Sequence, residues 1–437
     1  MTRIASSPLS SRVALLLVLV VLLGAWTSLG AADASRVAEP RSPEPRDAPK
    51  PPVAAPLPHA AESFDRCWEL VQERFYDSEL HGVDWSAARE RHRSRAVAAT
   101  TGREFRDALR GLLAELRASH LTVVAPEVFE MMAYELRDRR LETFGILIEE
   151  SKPGFFFVRD LYEGGPGEKA GMQVGDRLVL LEGLAPDSSP WMINAGYDPG
   201  LPGPTLYFLR PLGGPLKVVT QRTRDERSRR TVELRTHRMN AADAARNSVR
   251  VFDTDRGRIG YIHLWYCSRG IDMLLSSTLS GKLAGCDGLV VDLRGRGGRP
   301  EMVAAILRLF REKEGNGEDD RDRTTPTWSA PTAFLIDGRS RSAKEALAFI
   351  AKEDSLATVV GERSEGAVLG ARFFPLPDGS YLEIPVIDFP VRGVRLEGRG
   401  VAPDVRVDMP IPFLEGVDPI LDRGVEVIVD QLRTSSR

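Results

Sequence analysis

The chain has 437 residues, 42% of them apolar, which is enough for two or three cores and too long for one ordinary domain. Its 59 basic and 62 acidic residues leave a formal charge of −3, a balance that gives no footprint for a nucleic-acid partner. The three cysteines and six histidines show no CxxC, no HExxH and no other metal-ligand spacing, so neither a metal nor another cofactor is expected.

Arg3 and Arg12 precede the apolar run Val13–Trp26, and small residues follow at Gly30, Ala31 and Ala32. Residues 1–32 therefore read as a secretory signal cut near Ala32, with a retained N-terminal anchor as the alternative. The expected location is extracytoplasmic, periplasmic or secreted, with membrane contact only if that segment stays. Residues 33–60 hold eight prolines and read as a disordered linker. From 61 to 140 the apolar residues recur at threes and fours, as in Phe64, Trp68, Val71 and Phe105, Leu109, Leu112, Leu116. That predicts a helical subdomain, with Asp84 starting one helix and Thr101 capping another. His120 falls just past the predicted helix Glu104–Arg117. Residues 142–238 turn to short strands and glycine turns, a mostly β module whose basic run Arg222–Arg230 reads as a solvated hairpin tip. Residues 239–437 alternate apolar strands with helices, which predicts an α/β layer with strands buried on both faces. The stretch Arg311–Thr325 within it reads as a solvated loop.

Two turns of that last region carry candidate chemistry. Ser342 lies between the predicted strand Thr332–Ile336 and the predicted helix Ala343–Ala351. A serine at such a corner is either a helix cap or a nucleophile near free backbone N–H groups. Arg294-Gly-Arg-Gly-Gly-Arg299 follows the predicted strand Gly288–Leu293. It is either a tight structural turn or a source of N–H donors for an oxyanion, and it lacks the spacing of a dinucleotide loop.

These pieces together resemble the carboxyl-terminal-processing and tricorn-core family of serine peptidases. The resemblance rests on Phe75-Tyr-Asp77, His81-Gly-Val-Asp-Trp85, Ala170-Gly-Met-Gln-Val-Gly-Asp176, Ile259-Gly-Tyr-Ile262, Asp292–Gly298 and Ser342-Ala-Lys-Glu345, in the family's order. It implies a multidomain α/β fold: an N-terminal helical subdomain, a mostly β PDZ-like domain and a crotonase-like α/β protease core. One branch of the family pairs its serine with a lysine in a Gly-Glu-x-x-x-Gly-Lys type stretch. Here that stretch is Gly361-Glu-Arg-Ser-Glu-Gly-Ala367, so Ala367 takes the lysine position. Ser119-His120 and Leu396-Glu-Gly-Arg-Gly-Val-Ala-Pro-Asp404 instead match the tricorn-like branch.

The resemblance then implies Ser342 as nucleophile, His120 as base and Glu397 as the orienting acid, acting directly or through Ser119. Gly297 or Gly298 together with Ala343 would supply oxyanion donors, and peptide bonds of exported or envelope proteins would be cut through an acyl-enzyme. Arg341 and Lys344 flank the serine where the family has small residues. Arg341 either lines the cleft and draws acidic peptide groups or points to solvent. The rival reading is an inactive family member that binds apolar ligands or peptides as a scaffold. The partner is a peptide or protein substrate, and a homo-oligomer is compatible with the chain. The β module is expected to govern access more than chemistry, taking an extended peptide as an added strand.

Overall fold

A computed structural model describes residues 55–196, 198–311 and 328–435. The apolar run Val13–Trp26, the cleavage point at Ala32, residues 33–54 of the proline-rich linker and the loop beyond Arg311 lie outside the described residues. No helix among the described residues is long and apolar enough to cross a membrane.

Three helices, Ala60–Arg74, Trp85–Val97 and Gly102–Leu113, open the described chain. Asp84 accepts the Ala87 N–H and Thr101 accepts the Glu104 N–H, so both predicted starts are true side-chain caps. The third helix tightens into a 3-10 turn at Ala114–Leu116 and ends at Arg117 in the left-handed region. The chain then enters the short strand Thr122–Val124. That strand pairs antiparallel with Tyr381–Ile387, which in turn pairs with Gly370–Pro375. Leu369, Leu376, Leu382 and Ile384 of this distant hairpin complete the core of the three helices. The helical periodicity gives no sign of that completion, because the hairpin lies more than 200 residues further along the chain.

Residues 146–234 form one antiparallel sheet of seven strands. Its order across the sheet is Met192–Asn194, Thr205–Leu209, Ile146–Lys152, Phe155–Leu161, Arg177–Leu181, Leu216–Gln221 and Arg229–Leu234. Ile146–Lys152 is therefore paired on both sides, and its outer edge is filled by the chain's own Thr205–Leu209. The basic run is also less solvated than its composition suggests. The Arg222 guanidinium reaches buried Asp176 and the Gly171 carbonyl, and Asp176 accepts the Gln173 N–H. Asp176 thus anchors two turns.

The last region builds a six-stranded sheet ordered Arg250–Thr254, Gly257–His263, Gly288–Asp292, Thr332–Ile336, Thr358–Gly361 and Val405–Arg406. The first pair is antiparallel and every later pair is parallel. Leu289, Val291, Phe334 and Ile336 face one core with the helices Ile271–Ser280, Glu301–Leu307 and Ala343–Glu353. The alternate residues Val290, Ala333 and Leu335 face the helix Pro419–Ser435. The period of two explains why these strands read as continuous apolar runs. The parallel strands end together beside Gly295–Gly298 and Ser342. That is where ligands bind in open α/β sheets.

Candidate active site

Ser342 opens helix Ala343–Glu353 with φ 55° and ψ −122°, a combination that side-chain-bearing residues avoid. Its N–H is held by the Ala367 carbonyl at 2.8 Å and by Glu345 Oε2 at 3.1 Å. Glu345, wholly buried, also accepts the Ser364 hydroxyl at 2.6 Å and the N–H groups of Gly366 and Ala367 at 2.7 and 2.8 Å. One carboxylate therefore ties the start of the helix to the stretch where the other branch of the resembled family carries its lysine. The methyl of Ala367 is buried there.

His120, also at positive φ, is joined to Glu397 through one hydroxyl. Ser119 Oγ donates to Glu397 Oε2 at 2.9 Å and lies 3.0 Å from His120 Nδ1. The Ser119 N–H at 3.1 Å and the Val368 N–H at 2.9 Å also donate to Glu397. A hydroxyl has one proton, and here it goes to the carboxylate, so its lone pair must receive Nδ1–H. Nε2 is then the free, basic nitrogen of the ring. Burial and the nearby Arg341 cation push the His120 pKa down to about 3, with Asp198 opposing. Among the described residues no hydrogen bond joins His120 to Ser342. The two meet through their surroundings: Val368, which holds Glu397, follows Ala367, which holds Ser342.

Gly297 sits directly against the serine. A Cβ at Gly297 would lie 2.7 Å from Ser342 Cβ and 2.7 Å from the Arg341 carbonyl. Gly298 is at φ 141° and pairs with Cys267, whose N–H donates to the Gly297 carbonyl. The N–H groups of Gly297, Gly298 and Ala343 have no acceptor among the described residues.

The flanking basic residues take different roles. Arg341 is already matched: it pairs with Asp198 at 2.7 Å and Glu365 at 3.4 Å. It borders the serine with two carboxylate partners of its own. Lys344 is wholly buried and donates to the Trp265 carbonyl at 3.1 Å and the Arg294 carbonyl at 2.9 Å. Burial lowers its pKa to about 8. It braces the glycine loop from below.

The comparisons with known proteins fall on this frame. Residues 258–407 match the model described as peptidase family S41, and residues 56–114 match the tricorn protease C1 domain. The chain carries a peptidase family S41 domain and a tricorn protease C1 domain. It is 27% identical over 397 residues to the putative tricorn protease homolog 2 of Streptomyces coelicolor, covering 86% of this chain and 32% of that protein. It is 25% identical to the chloroplastic C-terminal processing peptidase of Tetradesmus obliquus, covering 82% of this chain and 80% of that one. The chain thus spans about a third of the length of the tricorn relatives that it matches. Its fold is similar to a photosystem II D1 C-terminal processing protease, at TM-score 0.50 and 20% identity, with 83% of this chain and 99% of the other covered. Mature CPAF gives TM-score 0.53 at 11% identity, with 86% and 98% covered.

Around these residues the structure joins others that local sequence did not single out. Asp337, just before the serine turn, accepts the Gly295 N–H at 2.9 Å and the Arg159 guanidinium at 2.8 Å. Arg339 reaches Asp160 with both terminal nitrogens, at 2.9 and 2.8 Å. Arg159 and Asp160 belong to the seven-stranded sheet, so buried ion pairs tie that sheet to the serine turn and the glycine loop. The Ser-x-x-Glu spacing could have flagged Glu345 as more than a surface charge. Nothing local marks Arg159, Asp198 or Glu383, which arrive from other parts of the chain.

Proposed function

We propose that the protein is a serine peptidase that cleaves peptide bonds through an acyl-enzyme, with Ser342 as nucleophile and His120 as general base. The observation that carries this reading is the one-hydroxyl relay from Glu397 through Ser119 to His120, beside a serine in a strained strand-to-helix turn. Glu397 fixes the Ser119 hydroxyl, which fixes Nδ1–H and presents Nε2 as the proton acceptor. On substrate binding Nε2 takes the Ser342 proton as Oγ attacks the carbonyl carbon, and the imidazolium then protonates the leaving amine. Catalytic hydrogen bonds are often long in a ligand-free enzyme, and the His120–Ser342 bond forms in the substrate complex. The developing oxyanion is received by Ala343 N–H and by Gly297 or Gly298 N–H. Water then enters along the departed amine's path, activated by the same imidazole.

The seven-stranded sheet acts as a PDZ-like domain, and its own Thr205–Leu209 strand fills the edge of Ile146–Lys152. Peptide addition at that edge requires the strand to leave, so substrate handling falls to another surface of the module. The substrates are exported or envelope proteins, a reading supported by the signal-like pattern of residues 1–32.

A fluorophosphonate probe tests the nucleophile. It should label Ser342 in the wild type and nothing in Ser342→Ala, and the variant should lose peptide hydrolysis while keeping its fold. Labelling at Ser340 would overturn the assignment. No labelling and no cleavage of peptide libraries would favour the inactive, ligand-binding scaffold.

A further inference from the structure

A cavity of about 50 Å³ is lined by residues of the seven-stranded sheet, the helix Pro126–Leu136 and the glycine loop. Met131, Leu147, Phe208 and the edge-to-face pair Tyr162 and Trp265 give it mostly apolar walls. Three charged side chains also line it: Glu135, Asp160 and Arg296. Both acids have their donors. Asp160 takes the two terminal nitrogens of Arg339 at 2.9 and 2.8 Å. Glu135 accepts the Tyr162 hydroxyl at 2.9 Å and the Ala241 N–H at 3.1 Å, and burial pushes its carboxyl up, towards the neutral form. Arg296 is left over. Its guanidinium carbon lies 4.4 Å from the centre of the Phe208 ring, and the side chain has no hydrogen bond or ion pair among the described residues. A guanidinium over an aromatic ring keeps its N–H donors for another partner.

We propose that this cavity is a specificity subsite in which Arg296 holds the carboxylate of a substrate aspartate or glutamate side chain. This rests on the peptidase reading for its role, though not for its binding. Arg296 stands between Gly295, whose N–H is held by Asp337, and Gly297, which packs against Ser342. A side chain that reaches Arg296 therefore belongs to a residue close to the scissile bond. The apolar walls suit the methylenes of such a side chain, and the guanidinium fork suits its carboxylate. Size points the same way. At about 10–15 Å³ for each water-sized atom, the cavity holds about three to five of them, as many as an acidic side chain and fewer than an arginine. A free peptide C-terminus is the other source of a carboxylate. To be carried in as an added strand its main chain would need the edge of Ile146–Lys152, which Thr205–Leu209 already fills. A neutral side chain would leave the Arg296 donors unanswered between apolar walls. The site therefore discriminates by what a neutral ligand fails to satisfy.

Peptide titrations into the full chain carrying Ser342→Ala test this. Alanine-rich hexapeptides, acetylated and amidated so that no terminal charge remains, carry glutamate at each position in turn. Each has a glutamine and a lysine counterpart, and a parallel series keeps a free C-terminus. At one position glutamate should bind at least about tenfold more tightly than glutamine, with lysine weaker than both. Arg296→Met in the same background should bring the glutamate-to-glutamine ratio close to one while circular dichroism shows the fold unchanged. If Arg296→Met fails to fold, Arg296→Lys replaces it and must reduce the ratio, because an ammonium lacks the planar fork. No glutamate preference at any position, tighter binding of lysine, or a preference that survives these variants in folded protein overturns the proposal. So does an affinity gained only with the free C-terminus, which would assign the carboxylate to the terminus. Fluorophosphonate labelling of the wild type reports separately on the peptidase reading, because a glutamate preference without labelling would keep the subsite and remove the enzyme.

Discussion

The backbone at Ser342 is held against its own preference. Only glycine adopts φ 55° and ψ −122° without strain, so Ser342→Gly should stabilise the fold by roughly 1 kcal/mol while abolishing labelling. Ser342→Ala, which keeps the Cβ, should give no such gain, and thermal melts of the two variants check the difference. Glu397 acts at one remove, since it controls the imidazole through the Ser119 hydroxyl. Glu397→Gln keeps the shape and removes the charge, and should lower kcat at least about tenfold with KM little changed. Full turnover in that variant would leave Ser342 without this relay. Glu383 offers a test at equilibrium. Its carboxyl is raised from 4.5 to about 8 in the folded chain, so between those values the native state holds the extra proton. Stability from this group is therefore present below about pH 4.5 and is lost as pH rises towards 8. Glu383→Gln mimics the protonated acid at every pH. The variant should match the wild type near pH 4.5 and exceed it by on the order of a few kcal/mol at pH 8, read from denaturant midpoints. Equal slopes would show that Glu383 is solvated.

At the level of elements, the glycine loop and the serine turn are a single packed unit. Gly297 has no room for a side chain between Ser342 Cβ and the Arg341 carbonyl, each 2.7 Å from where a Cβ would stand. Gly297→Ala should therefore cost about 1–3 kcal/mol and displace the serine, lowering kcat by about a hundredfold. Kinetics on a short activated ester check this, and an unperturbed kcat would place the oxyanion donors elsewhere. The strands and helices around this unit were legible because each obeys one period. Leu289 to Val291 and Phe334 to Ile336 are apolar on both faces, and Asp84 and Thr101 cap where a local rule puts them. The site was legible where motifs are contiguous, as in Ser119-His120 and Ser342–Glu345. It was not legible where no motif marks a residue whose partner lies more than 100 positions away. Asp198 meets Arg341, Arg159 meets Asp337, and the hairpin at 370–387 completes the helical core only in three dimensions.

At the scale of the molecule, the seven-stranded module is tied to the serine turn by charge. Arg159 is paired with Asp337 at 2.8 Å, and Arg339 with Asp160 at 2.8 Å, with all four residues largely buried. Asp337 also holds the Gly295 N–H, so the module, the serine turn and the glycine loop share one carboxylate. Burial alone would raise that carboxyl, yet Arg339 and Arg159 hold it far below the usual range. Removing one partner of a buried pair leaves an uncompensated charge, at about 3–5 kcal/mol. The sequence alone suggested a module that controls access and leaves chemistry to the core. The ion pairs argue for a module that also holds the catalytic parts in place. A chain lacking residues 142–238 should therefore lose activity on a short activated peptide ester as severely as on a protein substrate. Arg159→Met should lower kcat on the ester by about ten- to a hundredfold, and Asp337→Asn added to it should cost much less than it does alone. Retention of ester hydrolysis after deletion would return the module to the role of a gate. Loss on both substrates, with Arg159 and Asp337 non-additive, would make it part of the frame that sets the oxyanion donors.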